Sequence, residues 1–230
     1  LEVWTAMKHA IIFDMDGVLI DSQPMHYLGD QQTLAAHSVE VPVEEMTAYA
    51  GTTNQLRFEL FKERYHLDAD VADMIREREA TMIRLVRESD AVPTEGSVAL
   101  LESIKADGLK TAVASSSSYP FIYAVLEKLG ILSYFDLIFS GEDVKNGKPA
   151  PDVFLETCEK LQETPETCVV IEDSANGVLA AVRAGMTCLG YQNPTSGEQD
   201  LSKANAVIDD FRTIDADFLI HLSEKNDIVH

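Results

Sequence analysis

The stretch Ile11-Ile12-Phe13-Asp14-Met15-Asp16-Gly17-Val18 limits what this chain can fold into more than any other. A short apolar run stops abruptly at two carboxylates, and a glycine follows. A buried strand needs no aspartate, and a half-exposed strand would alternate apolar with polar residues. The pattern instead predicts a strand whose carboxyl end carries Asp14 and Asp16 to the rim of an open α/β sheet, where such sheets bind ligands.

The rest of the chain decides what kind of sheet this is. Val18-Leu19-Ile20 continues apolar into Asp21-Ser22-Gln23-Pro24, a capping residue followed by an early proline, which reads as a helix start. A helix over about 24–38 offers Met25, Leu28, Leu34 and Ala35 to one face and breaks at Val41-Pro42. From there to about residue 90 the pattern stays helical. Phe58, Leu60, Phe61 and Tyr65 precede a charged helix carrying Met74, Ile75, Met82, Ile83, Leu85 and Val86, and Gly51-Thr52-Thr53-Asn54 reads as a turn into a helix. Beyond residue 91, helices and strands alternate. Strands are expected at 110–114, 135–139, 168–171 and 187–190, with a fifth at 206–208; helices are expected at 95–107, 120–129, 151–162 and 175–184. This alternation predicts a Rossmann-like parallel sheet in a three-layer α/β/α core. The helical block then interrupts the core just after its first strand. The expected division is a core of 7–21 and 92–230 and a helical cap of 22–91, placed to act as a lid.

Composition narrows the partners. The chain has 230 residues, with 39 acids against 18 bases and a formal charge of −21. Such a surface repels polyanions, so neither nucleic acid nor an anionic membrane is an expected partner. No apolar run approaches the roughly 18 residues that a membrane-spanning helix needs. Cys158, Cys168 and Cys188 show no CxxC spacing, and two fall in expected strands, so they read as apolar fillers of a cytoplasmic protein. Residues 1–6 are set outside the fold argument.

Polar groups recur wherever a core strand stops: Asp14 and Asp16, then Ser115 at the head of four serines, then Glu172 and Asp173. Lys148 comes from a loop between strands. In a parallel sheet these positions share one edge. Four acids there would repel one another unless a cation held them, and an all-oxygen set without His or Cys points to Mg²⁺ rather than zinc. Asp14 could then attack phosphorus, with Asp16 as acid and base. Ser115, Ser116 and nearby backbone N–H groups could hold phosphoryl oxygens, and Lys148 could neutralise charge. Each residue alone has a plainer reading. An isolated Asp-x-Asp can be a cap or turn, the serines a polar loop, Lys148 a solvated surface residue, and Asp173-Ser174 a helix cap. Their joint placement at three strand ends favours chemistry.

Asp14-Met15-Asp16-Gly17-Val18, Ser115, Gly147-Lys148-Pro149 and Glu172-Asp173-Ser174-Ala175-Asn176-Gly177 resemble the four signature motifs of the haloacid dehalogenase-like superfamily. Lys148-Pro149-Ala150-Pro151-Asp152 is similar to the subgroup of sugar-phosphate phosphatases and β-phosphoglucomutases. The resemblance implies a Rossmann-like core with a mobile helical cap. It also implies Mg²⁺ held by Asp14, the main-chain carbonyl of Asp16, and Asp173, assisted by Glu172. The family's dehalogenases lack the second aspartate, so Asp16 favours phosphate chemistry.

Phosphatase and mutase share these motifs and differ in the cap. His26 matches a histidine that mutases use to couple cap closure to Asp16, although related phosphatases carry it too. Mutases also carry an arginine three residues after the cap glycine, where this chain has Asn54; Arg57 is a candidate substitute one helical turn later. The cap lysine of mutases has no secure counterpart, the nearest bases being Arg76, Arg78 and Arg84. His26 and Asn54 are therefore expected substrate contacts, and the missing arginine favours a phosphatase acting on a small phosphorylated metabolite over a mutase. A non-catalytic binding protein on this scaffold should have lost a motif residue, and none is lost.

Overall fold

In the computed structural model, residues 7–49 and 52–222 are described. They fall into two compact units, one within Leu1–Asp21 and Ala91–His230, the other Ser22–Asp90. Residues 1–6 and Gly51, the first residue of the turn expected at 51–54, lie outside the described residues.

The larger unit is built on six parallel strands: β1 (Ala10–Phe13), β2 (Lys110–Ser115), β3 (Leu137–Ser140), β4 (Cys168–Glu172), β5 (Thr187–Tyr191) and β6 (Ala206–Ile208). Their order is β3-β2-β1-β4-β5-β6. The chain builds outward from β1 on one side, then returns to the other side of β1 with β4. Phe13 is consequently in register with Val113 and with Ile171. Such a reversal of direction is where doubly wound sheets open a crevice at the strand ends. β1 and β4 are buried along their whole length, which explains their continuous apolar runs.

Alternate residues point to opposite faces. Ala10, Ile12, Ala112, Ala114 and Val170 pack with Val153, Phe154 and Cys158 of α6 (Asp152–Lys160) and Val178, Ala180 and Ala181 of α7 (Ala175–Arg183). Further helices are α4 (Ser97–Ala106), which packs on β2, α5 (Tyr119–Lys128), which packs on β3, and α8 (Ala216–His221), which packs on α4. The parallel three-layer expectation holds. After β1, Val18–Ile20 is folded into a buried turn, with Leu19 N–H bonded back to Met15 O and Gly17 N–H to Ile20 O. Two local readings need correction. Phe135 precedes β3 rather than opening it, and its ring meets Phe13 edge-on at 5.9 Å. Ser115 belongs to β2, not to the loop beyond it.

The smaller unit contains α1 (Gln23–Ala36), α2 (Asn54–Tyr65), α3 (Val71–Glu88) and a 3₁₀ segment, Val43–Tyr49. Ser22 makes no side-chain capping bond at the start of α1, where the proline alone marks the first turn. By contrast Thr53 accepts from Leu56 N–H, and Asp70 from Ala72 and Asp73 N–H. Its core is Leu34, Met46, Tyr49, Phe58, Phe61 and Met74. Phe61 meets Tyr49 and Phe58 edge-on, with ring centroids 4.7 and 5.3 Å apart, an arrangement that aromatic quadrupoles favour. Among the described residues no helix is long and apolar enough to cross a membrane.

Candidate active site

The site forms where β1, β2 and β4 end side by side. Asp14 follows β1 directly, and its N–H bonds to Ile171 O across the β1/β4 seam at 2.9 Å. That bond places the Asp14 carboxylate beside Glu172 and Asp173. Lys148 reaches in from the segment before α6. Its Nζ donates to Asp14 Oδ1 at 2.6 Å, Glu172 Oε1 at 2.8 Å and Ala114 O at 3.3 Å, and sits 4.8 Å from the centre of the Phe154 ring. Its side chain is only 8% exposed, so this is a desolvated ion-pair network and not the solvated surface lysine of the plainer reading.

Small residues set the close approaches. Gly17 has φ +82°, and a Cβ there would run into the Asp173 carboxylate; a Cβ on Gly177 would run into Glu172. Glu172 Oε2 accepts from both the N–H and the Oγ of Ser174, each at 2.9 Å, while Ser174 Oγ accepts from Gly177 N–H and so caps α7. Ser174 therefore does cap its helix, and it also orients Glu172.

Asp14, Glu172 and Asp173 each offer a carboxylate oxygen, all within 4.8 Å of one another. Burial, resisted by Lys148 and assisted by Glu172, Asp173 and Asp16, holds the Asp14 carboxyl well above the usual carboxylate range. Burial and then Glu172 raise Asp173 to about 7. The Lys148 ammonium is held above its ordinary value, since Asp14 and Glu172 outweigh the burial that opposes its charge. Buried carboxylates so crowded, with one lysine among them, are short of positive charge. An all-oxygen donor set of this kind fits a hard divalent cation such as Mg²⁺.

The Asp16 side chain takes another direction. Its Oδ2 accepts from Ser117 Oγ at 2.8 Å, and it is not part of the acidic triplet. Ser115 is fully buried and its Oγ accepts from Ser117 N–H at 3.1 Å, whereas Ser116 is exposed. Ser140 Oγ donates to Ser117 O at 2.7 Å, fixing the same loop from β3. His26 and Asn54 belong to the Ser22–Asp90 unit. There His26 Nδ1 accepts from Arg78 at 2.9 Å, and Asn54 Oδ1 from Arg57 at 2.9 Å.

Three contributors escaped the sequence reading. Ser117 holds Asp16. Ser196 Oγ donates to Asp173 Oδ2 at 2.5 Å, and Asn193 Nδ2 donates to Gly17 O at 2.9 Å. The last two come from the loop after β5, where no motif marks them. Ser117 had a signal, its place two residues beyond a strand that ends in serine.

Residues 8–185 match the haloacid dehalogenase-like hydrolase family. The chain belongs to that family. A phosphorylated carbohydrates phosphatase of Thermotoga maritima is 33% identical over 212 residues, 86% of this chain and 92% of that one. The fructose-1-phosphate phosphatase YqaB of Escherichia coli is 31% identical over 76% of this chain and 92% of its own length. Among solved structures, CbbY of Rhodobacter sphaeroides in complex with phosphate superposes with a TM-score of 0.80 at 27% identity, over 90% of this chain and 96% of that one. A β-phosphoglucomutase of Clostridium difficile gives 0.77 at 26% identity, over 94% and 97%.

Proposed function

We propose that this phosphoric monoester hydrolase cleaves a phosphorylated sugar by way of an aspartyl-phosphate on Asp14, with the Ser22–Asp90 unit acting as the cap that selects the substrate. The observation that carries the reading is the different surroundings of Asp14 and Asp16. Asp14 is buried against Lys148 among the acids, while Asp16 is held on a serine away from them.

A nucleophile and an acid/base need that separation. The Asp14 oxygen that does not bond Lys148 attacks phosphorus in line as the bond to the sugar oxygen breaks. Asp16, aimed by Ser117, gives its proton to the departing sugar oxygen. It then takes a proton from the water that attacks the phosphorus, which releases inorganic phosphate and restores the Asp14 carboxylate. Lys148 opposes the burial and acidic neighbours that disfavour the ionised Asp14, and offers positive charge to the phosphoryl oxygens. Mg²⁺, held by Asp14, Asp173 and the main-chain carbonyl of Asp16 with Glu172 assisting, would offset the repulsion between the carboxylates and the phosphoryl group. The N–H groups after Ser115 and the exposed Ser116 are the donors proposed for the remaining phosphoryl oxygens.

The phosphatase relatives favour hydrolysis. A mutase reading draws on the β-phosphoglucomutase likeness and on His26, a proposed substrate contact along with Asn54. In a mutase a sugar hydroxyl replaces water as the attacking group. A phosphate-release assay across hexose and pentose phosphates with Mg²⁺ tests the proposal, and release is expected. Conversion of β-glucose 1-phosphate to the 6-phosphate without release would overturn it.

A further inference from the structure

The Ser22–Asp90 unit contains a second buried charge cluster that no catalytic step above uses. Asp30 lies on α1 and its side chain is fully buried. Arg57 of α2 donates to its Oδ2 at 2.8 Å, and Arg78 of α3 to its Oδ1 at 2.5 Å. The two arginine side chains are 11% and 7% exposed. Arg57 also donates to Thr52 O and Asn54 Oδ1, and Arg78 to His26 Nδ1. A single carboxylate thus binds guanidiniums from two other helices.

Cations on a substrate-selecting unit would ordinarily read as a grip for a second phosphate, which arginine binds well through its planar fork. Here the forks are already engaged. Each guanidinium gives Asp30 a charge-assisted hydrogen bond, and the Nε of Arg57 is buried without a partner among the described residues, out of reach of an incoming anion. Asp30 cancels one of the two guanidinium charges and occupies donors on both, so a phosphate dianion approaching the arginines would meet a weaker field and fewer free N–H groups, with little water between to screen the carboxylate. Withholding donors and charge from one ligand discriminates between ligands just as added attraction does.

We infer that Asp30 is a specificity-determining residue that withholds Arg57 and Arg78 from a second phosphate, so that the enzyme prefers sugar monophosphates to bisphosphates. The inference rests on the reading of Ser22–Asp90 as the substrate-selecting unit.

Binding to an Asp14→Asn background, which does not turn over ligand, tests it with Mg²⁺ present. Calorimetric Kd values are measured for glucose 6-phosphate and glucose 1,6-bisphosphate, with and without Asp30→Asn. Asparagine keeps the volume and an acceptor while removing the charge. The bisphosphate is expected to bind no tighter than the monophosphate in the background. In the double variant the ratio should move about tenfold toward the bisphosphate while the monophosphate Kd stays within about twofold. An unmoved ratio, or no binding of either sugar to either protein, overturns the inference. If the double variant does not fold, Arg57→Gln in the same background decides. Both Kd values should then change by the same factor, and a selective loss of the bisphosphate overturns the inference. Phosphate release by the unmodified enzyme is scored separately. A shifted Kd ratio with no release would sink the phosphatase reading and leave the Asp30 assignment standing.

Discussion

The two buried charge clusters of this chain are opposite in composition. At the strand ends Asp14, Glu172 and Asp173, with Asp16 nearby, surround the single ammonium of Lys148. Among the helices of the Ser22–Asp90 unit the single carboxylate of Asp30 lies between two guanidiniums. Burying unbalanced charge is costly unless something else compensates. The acidic cluster shows the strain, since the Asp14 and Asp173 carboxyls are displaced toward their neutral forms. In the Ser22–Asp90 unit, burial pushes the Arg57 guanidinium down while Asp30 opposes the fall. The contrast is between a site short of a cation that a ligand can bring and one in which a single buried carboxylate offsets part of the charge of two guanidiniums.

Substitutions at the two clusters should behave differently, and the largest effect belongs to Asp14. Asp14→Asn is expected to lower turnover by about 10⁴-fold or more, as loss of a nucleophile does, without lowering the melting temperature, because it also removes a crowded charge. Retained activity would refute a covalent route. Next is Asp30→Asn, which leaves two buried guanidiniums without their counter-ion and should cost about 3 kcal/mol in denaturant unfolding. A neutral result would mean that solvent reaches the cap cluster. Of opposite sign is Asp173→Asn in chelator, which relieves repulsion and should stabilise the metal-free protein by about 1–2 kcal/mol. The same variant should lose most of the melting-temperature gain that Mg²⁺ gives the parent, and an undiminished gain would move the cation elsewhere. The smallest change is expected at the solvent-exposed Arg64–Glu45 pair, 3.2 Å apart. Glu45→Ala should stay within about 0.5 kcal/mol; a larger loss would show that the charge count, and not burial, governs this unit.

The core cluster was legible because strand geometry exposes it. Acids that terminate an apolar run suit neither a packed strand nor a solvated one, and a parallel sheet brings all such ends to one edge. The Asp30 cluster was not legible. Asp30 sits inside a helix whose apolar face is read from Met25, Leu28, Leu34 and Ala35, and a lone aspartate among them carries no signal of its own. Its partners lie 27 and 48 residues away. Nothing local distinguishes an aspartate that collects two arginines from one that faces water. Arg57, offered from sequence as a substitute for a missing substrate contact, proves to be bound to Asp30. Ser196 and Asn193 were hidden for a related reason. Each is a single polar residue in a loop, and only the fold sets that loop against Asp173 and Gly17.

One hydrogen bond, Thr94 N–H to Leu19 O at 3.0 Å, joins the two points where the chain departs from the α/β core and rejoins it. Both residues belong to the larger unit, and a segment whose ends are held together can be exchanged without rethreading its host. With the Ser22–Asp90 unit selecting the substrate as proposed, a helical cassette from a relative, spliced between Leu19 and Thr94, is expected to change specificity on an unchanged hydrolytic core.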